Sequence, residues 1–306
     1  MGFFITDSKA GVYLAGQLGE PLRCVSCDYS SPCWPCASKA HLVVACRSKR
    51  ECLCIHQDVP DEPLYMPALP GLGGVCLSPC GRYLYQLSTE ADCIHTFHLG
   101  SGELQYAMPA GVFPRSMQLN HDGSQLLVAG GCMDEAYLLS APELYPLRTL
   151  HTRHPCFAAD FCKGGYALLC AMEGDELQSV LYMLSQQGVR PREKLRLPGQ
   201  PGSLRVCPDG ETALLSTPDG LMRVVLSTGE LLWNQPEWAL CMRMEIRGHL
   251  ALISDTLCGC VVLIDIDEPW KKRVLLQGTD AQACFLPMLG KAACTNKPPV
   301  FRASSR

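Results

Sequence analysis

One outline recurs along this chain at a fixed spacing, and the spacing limits the folds open to it. Gly74-Val-Cys-Leu-Ser-Pro-Cys-Gly-Arg-Tyr-Leu-Tyr85 and Ser116-Met-Gln-Leu-Asn-His-Asp-Gly-Ser-Gln-Leu-Leu127 each give an alternating segment, a glycine turn and a second apolar segment, 42 residues apart. The outline returns at Ala158-Ala-Asp-Phe161 before Gly165, Ser203-Leu-Arg-Val206 before Gly210, Cys241-Met-Arg-Met244 before Gly248, and Ala283-Cys-Phe-Leu286 before Gly290. One period before Gly81 lies Lys39, where Pro32-Cys-Trp-Pro-Cys-Ala-Ser-Lys-Ala-His-Leu-Val-Val44 has the same shape. Between the anchors run further strand-like segments joined by tight turns, such as Pro218-Asp-Gly220 and Thr228-Gly-Glu230. Apolar residues at helical spacing are almost absent. Four short strands in each period of about 40 residues is the arithmetic of an all-β, radially repeated β-propeller with four-stranded antiparallel blades.

The two ends of the chain set the blade count. The stretch from Phe3 to Leu22 matches the last three strands of a repeat, with no first strand before it, while Ala283 to Pro287 is a first strand without partners. Joined, they make one composite blade. With six complete repeats anchored near residues 39, 81, 123, 165, 210 and 248, the count is seven blades in a single domain spanning 1–306. Eight is the rival count, since Lys291 to Asn296 would also serve as a second strand. Residues 288–306 read as a tail or an extra strand, because Asn296-Lys-Pro-Pro-Val300 interrupts any ladder there.

Several of these residues resemble the seven-bladed lactonase-type and YVTN-repeat propellers, the group that includes 6-phosphogluconolactonase-like proteins. The likeness rests on Ser78-Pro-Cys-Gly-Arg-Tyr-Leu-Tyr85, on Cys207-Pro-Asp-Gly210, on a proline before several first strands (Pro32, Pro114, Pro155 and Pro201), and on the three-strand start ending in Gly19-Glu20. Cys80 stands where that group usually has an Asp, and the turn Cys162-Lys-Gly-Gly165 is irregular. These motifs specify turns and packing, so the resemblance implies the fold and leaves function to the site residues.

Cysteine usage raises a separate question. Cys24, Cys27, Cys33 and Cys36 form two C-x-x-C pairs within thirteen residues, one geometry for a four-thiolate metal knot and, at Cys-Trp-Pro-Cys, one for redox work. Yet the chain holds 20 cysteines, about one such pair is expected from composition alone, and no histidine follows at zinc-site spacing. The pattern therefore reads first as packing by small reduced thiols, with a metal as the alternative.

Aligning the repeats on their glycine turns puts Cys33, Val75, Met117, Ala159, Leu204, Met242 and Cys284 in one apolar first-strand column. A second apolar column holds Pro35, Leu77, Leu119, Phe161, Val206, Met244 and Leu286. Interleaved is a column of unusual chemistry: Trp34, Cys76, Gln118, Asp160, Arg205, Arg243 and Phe285. Charged groups on consecutive first strands would either pair across blades or face the central channel. The lactonase resemblance, taken as activity, implies Asp160 or His154 as the base for water, with Arg205 and Arg243 steadying an oxyanion. Trp34, Arg115 and Gln118 are candidate ligand contacts. His151 and His154 flank Arg153 in a loop entering a first strand, where solvated turn residues are as good a reading as a metal pair.

The function classes narrow accordingly. No G-x-S-x-G elbow, phosphate-cradling glycine loop or H-E-x-x-H is present, so no local motif demands an enzyme or calls for a cofactor. A formal charge of -4 without basic blocks argues against nucleic acid. The start Met-Gly-Phe-Phe-Ile-Thr-Asp-Ser-Lys is unlike a signal peptide, and no apolar run reaches membrane-spanning length, which together suggest a cytoplasmic chain without membrane contact. Acidic residues gather between second and third strands: Glu90 and Asp92, Asp134 and Glu135, Glu173 with Asp175 and Glu176, then Asp219 and Asp255. The reading is a monomeric propeller that binds a small molecule or a protein at its channel mouth, with a lactone hydrolase as the alternative and a metal protein third.

Overall fold

The structure is a computed structural model that describes residues 2–7, 11–15, 23–26, 32–56, 59–174, 176–188, 190–239, 241, 243–255, 259–277 and 281–286. Every named element in it is a β-strand, and the strands form seven antiparallel sheets of four. Blades 1 to 6 span 32–67, 72–109, 116–151, 156–198, 204–235 and 243–277. Blade 7 is composite. Gln282–Phe285 pairs with Phe3–Asp7, placing Phe285 opposite Phe3, and Gly11–Ala15 and Arg23–Ser26 complete the sheet. The eight-blade alternative falls because Phe3–Asp7 takes the second-strand place; the tail 288–306 lies outside the described residues.

Burial explains the order of strands within a blade. Second strands are buried on both faces, as in Thr212–Thr217, because each is covered by a neighbouring blade on either side. Outer strands such as Leu104–Pro109 alternate toward solvent. Seven hydrophobic clusters result, one at each junction between blades; Met117, Leu126 and Val128 of blade 3, for example, meet Tyr85 and Leu87 of blade 2. First strands touch those of the adjacent blades all round the ring and so line its axis. Among the described residues no helix is long and apolar enough to cross a membrane.

Turns between first and second strands come in two lengths, and the difference matters for the site. Blades 2, 3 and 5 use four residues ending near a left-handed glycine: Gly81 (φ 70°), Gly123 (φ 74°) and Gly210 (φ 69°). In blade 2 the Ser78 hydroxyl accepts the Tyr83 N–H at 3.0 Å, closing the turn. Blade 1 closes with only two residues between Ser38 and His41, and blade 6 with two between Arg247 and Leu250. Ser38 does for the His41 N–H, also at 3.0 Å, what Ser78 does for Tyr83.

Candidate ligand site in the central channel

Strand register corrects the polar column. Opposite second-strand residues that all face the following blade stand Cys36, Cys76, Gln118, Asp160, Arg205, Glu245 and Cys284. Trp34, Arg243 and Phe285 are not members. In blades 1 and 6 the turn is two residues shorter, which moves the equivalent position from Trp34 to Cys36 and from Arg243 to Glu245. In blade 7 Cys284, opposite Phe4, takes the place assigned to Phe285. A one-residue slip sends a strand side chain to the other face, and Phe285 accordingly packs in the junction with blade 6.

The displaced residues have defined places. Trp34 sits in a bulge between Cys33 and Cys36 with φ 52°, so two residues of blade 1 swell where other blades have one. Its backbone N–H donates to Gln282 Oε1 at 2.8 Å and its indole N–H to the Leu72 carbonyl at 3.2 Å. The Arg243 guanidinium lies 5.6 Å from the Trp34 ring centroid, and its Nη2 donates to the Pro35 carbonyl. Arg243 thus reaches from blade 6 past blade 7 to blade 1.

The charged groups tie first strands together. Asp160 Oδ1 accepts the Phe161 N–H and Oδ2 the Val206 N–H, both at 2.9 Å, and Oδ2 stands 3.6 Å from Arg205 Nη1. Arg205 Nη1 also donates to Gln118 Oε1, so blades 3, 4 and 5 are joined in one cluster. Glu245 repeats the device, its Oε2 accepting the Phe285 N–H at 3.2 Å. Burial lifts both carboxyl pKa values; Arg205 opposes the shift at Asp160, and Arg243, Arg205 and Arg247 oppose it at Glu245. Burial pushes the Cys76 thiol to about 12 against the pull of Arg205 and Arg243, and also raises Cys36 and Cys284 well above the ordinary thiol value. These three thiols are neutral at physiological pH.

Two donors in this channel have no acceptor among the described residues: Arg205 Nε and Arg243 Nη1, both buried. With Arg247, three guanidinium groups face the two carboxylates of Asp160 and Glu245. The net excess is positive.

Other predicted site residues lie elsewhere. His154 stacks on Tyr182 of the third strand of blade 4, ring centroids 6.1 Å apart at 26°, rather than joining Asp160. His151 Nδ1 approaches Glu135 Oε1 at 3.2 Å. Arg115 is exposed near the start of a first strand, its guanidinium 4.6 Å from the Phe113 ring and 5.2 Å from that of Phe157. Of the four cysteines that open the chain, Cys27 lies outside the described residues and only the backbone of Cys24 is described. Cys33 and Cys36 are buried in the junction of blades 1 and 2, packing with Val43, Val75 and Leu84. Among the described residues no three His, Cys, Asp or Glu side chains converge to hold a metal.

No protein-family model and no curated protein matches this chain. Solved structures do share its architecture. A protein from Lactobacillus plantarum superposes with a TM-score of 0.70 at 11% identity, covering 93% of this chain and 100% of that one. A functionally unknown protein from Desulfotomaculum acetoxidans gives 0.69 at 10% identity, covering 94% and 99%. Kuenenia stuttgartiensis hydrazine synthase gives 0.66 at 13% identity, covering 83% and 81%. Likeness at this identity establishes the β-propeller fold, which is shared by proteins of unrelated function.

Proposed function

We propose that this chain is a ligand-binding β-propeller that holds a small oxyanion, a carboxylate or phosphate group, between Arg205 and Arg243 in its central channel. The observation that carries this reading is the pair of buried, unpartnered N–H donors, Arg205 Nε and Arg243 Nη1. An unsatisfied buried donor costs about 1–3 kcal/mol, and native proteins keep few of them without a ligand, water or ion in attendance. The positive excess of the channel supports an anion over a cation. Free cysteines at Cys36, Cys76 and Cys284 suit a reducing compartment such as the cytoplasm.

Binding is favoured over lactone hydrolysis by the engagement of Asp160. Both of its oxygens already hold backbone N–H groups of two blades, so acting as a base on water would mean giving up the tie to Val206. Native mass spectrometry of anaerobically purified protein, compared with the same sample denatured, tests the proposal. An adduct of oxyanion character is expected in the native spectrum and absent from the Arg205→Gln, Arg243→Gln double variant. A bare native mass in wild type, or an adduct indifferent to both substitutions, would count against it.

A further inference from the structure

Blades 1 and 2 end their second-to-third-strand turns in the same way. Arg50 and Asp92, 42 residues apart in the sequence, both have φ 53°, and their carbonyls accept the Ala68 and Ala110 N–H groups at 2.9 and 2.8 Å. The connectors that follow also correspond: Gly71 has φ 54° and Phe113, again 42 residues on, has φ 56°. The two junctions therefore share a backbone design and differ in side chains.

At the junction of blades 2 and 3 the design is self-contained. Asp92 Oδ1 accepts the Phe113 N–H at 2.7 Å, and the Phe113 ring packs against Arg115. At the junction of blades 1 and 2 an arginine replaces the aspartate and a glycine replaces the phenylalanine. Thr89 satisfies the Gly71 carbonyl through both its N–H (2.8 Å) and its hydroxyl (2.7 Å), but the Gly71 N–H meets no acceptor among the described residues. The Arg50 guanidinium likewise meets none. A Cβ at Gly71 would run into Glu90, which fills the ring's place; beside Arg50 is a cavity of about 410 Å³, lined by Arg47, Arg50, Leu69, Pro70, Gly71 and Thr89. Its volume is in the range of small-molecule sites. The turn beside it carries Arg47, Lys49 and Arg50, whereas the matching turns of blades 2, 3 and 5 carry Glu90 and Asp92, Asp134, and Asp219.

We propose that this junction is a second ligand site, separate from the channel, for a small organic acid. Its carboxylate takes the place that Asp92 fills one blade later, accepting from the Gly71 N–H and from Arg50, while its apolar body lies against Leu69 and Pro70. The fork of a guanidinium matches a carboxylate in two-point geometry, and charge-assisted bonds of this kind outweigh neutral ones.

Calorimetric titration with benzoate, and with benzamide as its neutral counterpart, tests the site. Wild type is expected to show a saturable benzoate site that benzamide does not fill. Arg50→Gln should weaken it about tenfold or more, the loss of one charge-assisted pair. Arg50→Asp should abolish it, because the protein then supplies its own carboxylate at a backbone position where blade 2 already accommodates Asp. Absence of a saturable benzoate site in wild type, or equal affinity in both Arg50 variants, overturns the proposal, as does equal binding of benzamide.

Discussion

The ring of first-strand residues around the channel divides into two arcs. Blades 7, 1 and 2 present thiols (Cys284, Cys36 and Cys76), while blades 3 to 6 present an amide, two carboxylates and a guanidinium (Gln118, Asp160, Glu245 and Arg205). The backbone is the same on both sides; the means of holding blades together is not. On the thiol arc small apolar groups fill these positions, and a comparable tie there comes from Gln282, two residues before Cys284, whose Oε1 accepts the Trp34 N–H. On the charged arc Asp160 and Glu245 reach the first strand of the next blade and accept its N–H. The contrast teaches that polar residues around this axis first serve the ring, and that Arg205 Nε and Arg243 Nη1 are left over after that service.

The sharpest way to break the contrast is to truncate one residue on each arc. Asp160→Ala leaves Arg205 without its carboxylate and strands the Val206 N–H, so urea unfolding should show a loss of about 3 kcal/mol. Cys284→Ala, at the same level of the ring, removes one small buried group and should cost about 1 kcal/mol. Equal losses would mean that the charged arc is packing like the other.

pH separates the arcs next. A buried thiol whose pKa is raised in the folded state contributes stability that is complete below the unfolded value and is lost as pH rises through the folded one. For Cys76 that window runs from 9.0 to about 12, so wild-type stability should fall across it, and Cys76→Ala should fall less steeply in alkaline denaturation. The raised carboxyls obey the same sign at lower pH: the contributions of Asp160 and Glu245 are full below the ordinary carboxylate range and decline as pH rises through their lifted values. Asp160→Asn should flatten that part of the melting-temperature profile, and an unchanged slope would assign it elsewhere.

The smallest effect is expected at the exposed mouth. Arg115→Ala removes a cation from between Phe113 and Phe157, worth about 0.5–1 kcal/mol at a solvent-facing site. Channel binding should be indifferent to it, and a larger change than that of Arg205→Gln would shift the site toward the rim.

Blade number and ring closure were legible in the sequence because they depend on periodicity, and the 42-residue offset survives local variation. Column membership depends on counting residues from a turn, and turn length differs between blades. Gly248 lies inside a two-residue turn and Gly81 in a four-residue one, so aligning them moved the site from Glu245 to Arg243; the same difference moved it from Cys36 to Trp34. Ser38 offered a better anchor than Lys39, since a serine that caps its turn marks the end of the first strand whatever the turn length. Arg205 and Gln118 fell in register because their blades share the four-residue turn of blade 2. Nothing in the sequence shows that Arg243 crosses to Pro35, or that Asp160 spends both oxygens on backbone, since these depend on the curvature of the closed ring.

The most direct test of the channel as an anion site is a crystal of the protein soaked in selenate and measured at the selenium edge. An anomalous peak within hydrogen-bonding distance of both Arg205 Nε and Arg243 Nη1 is the predicted result. A channel without selenium, in which those two atoms bond instead to protein acceptors or to ordered water, would contradict it.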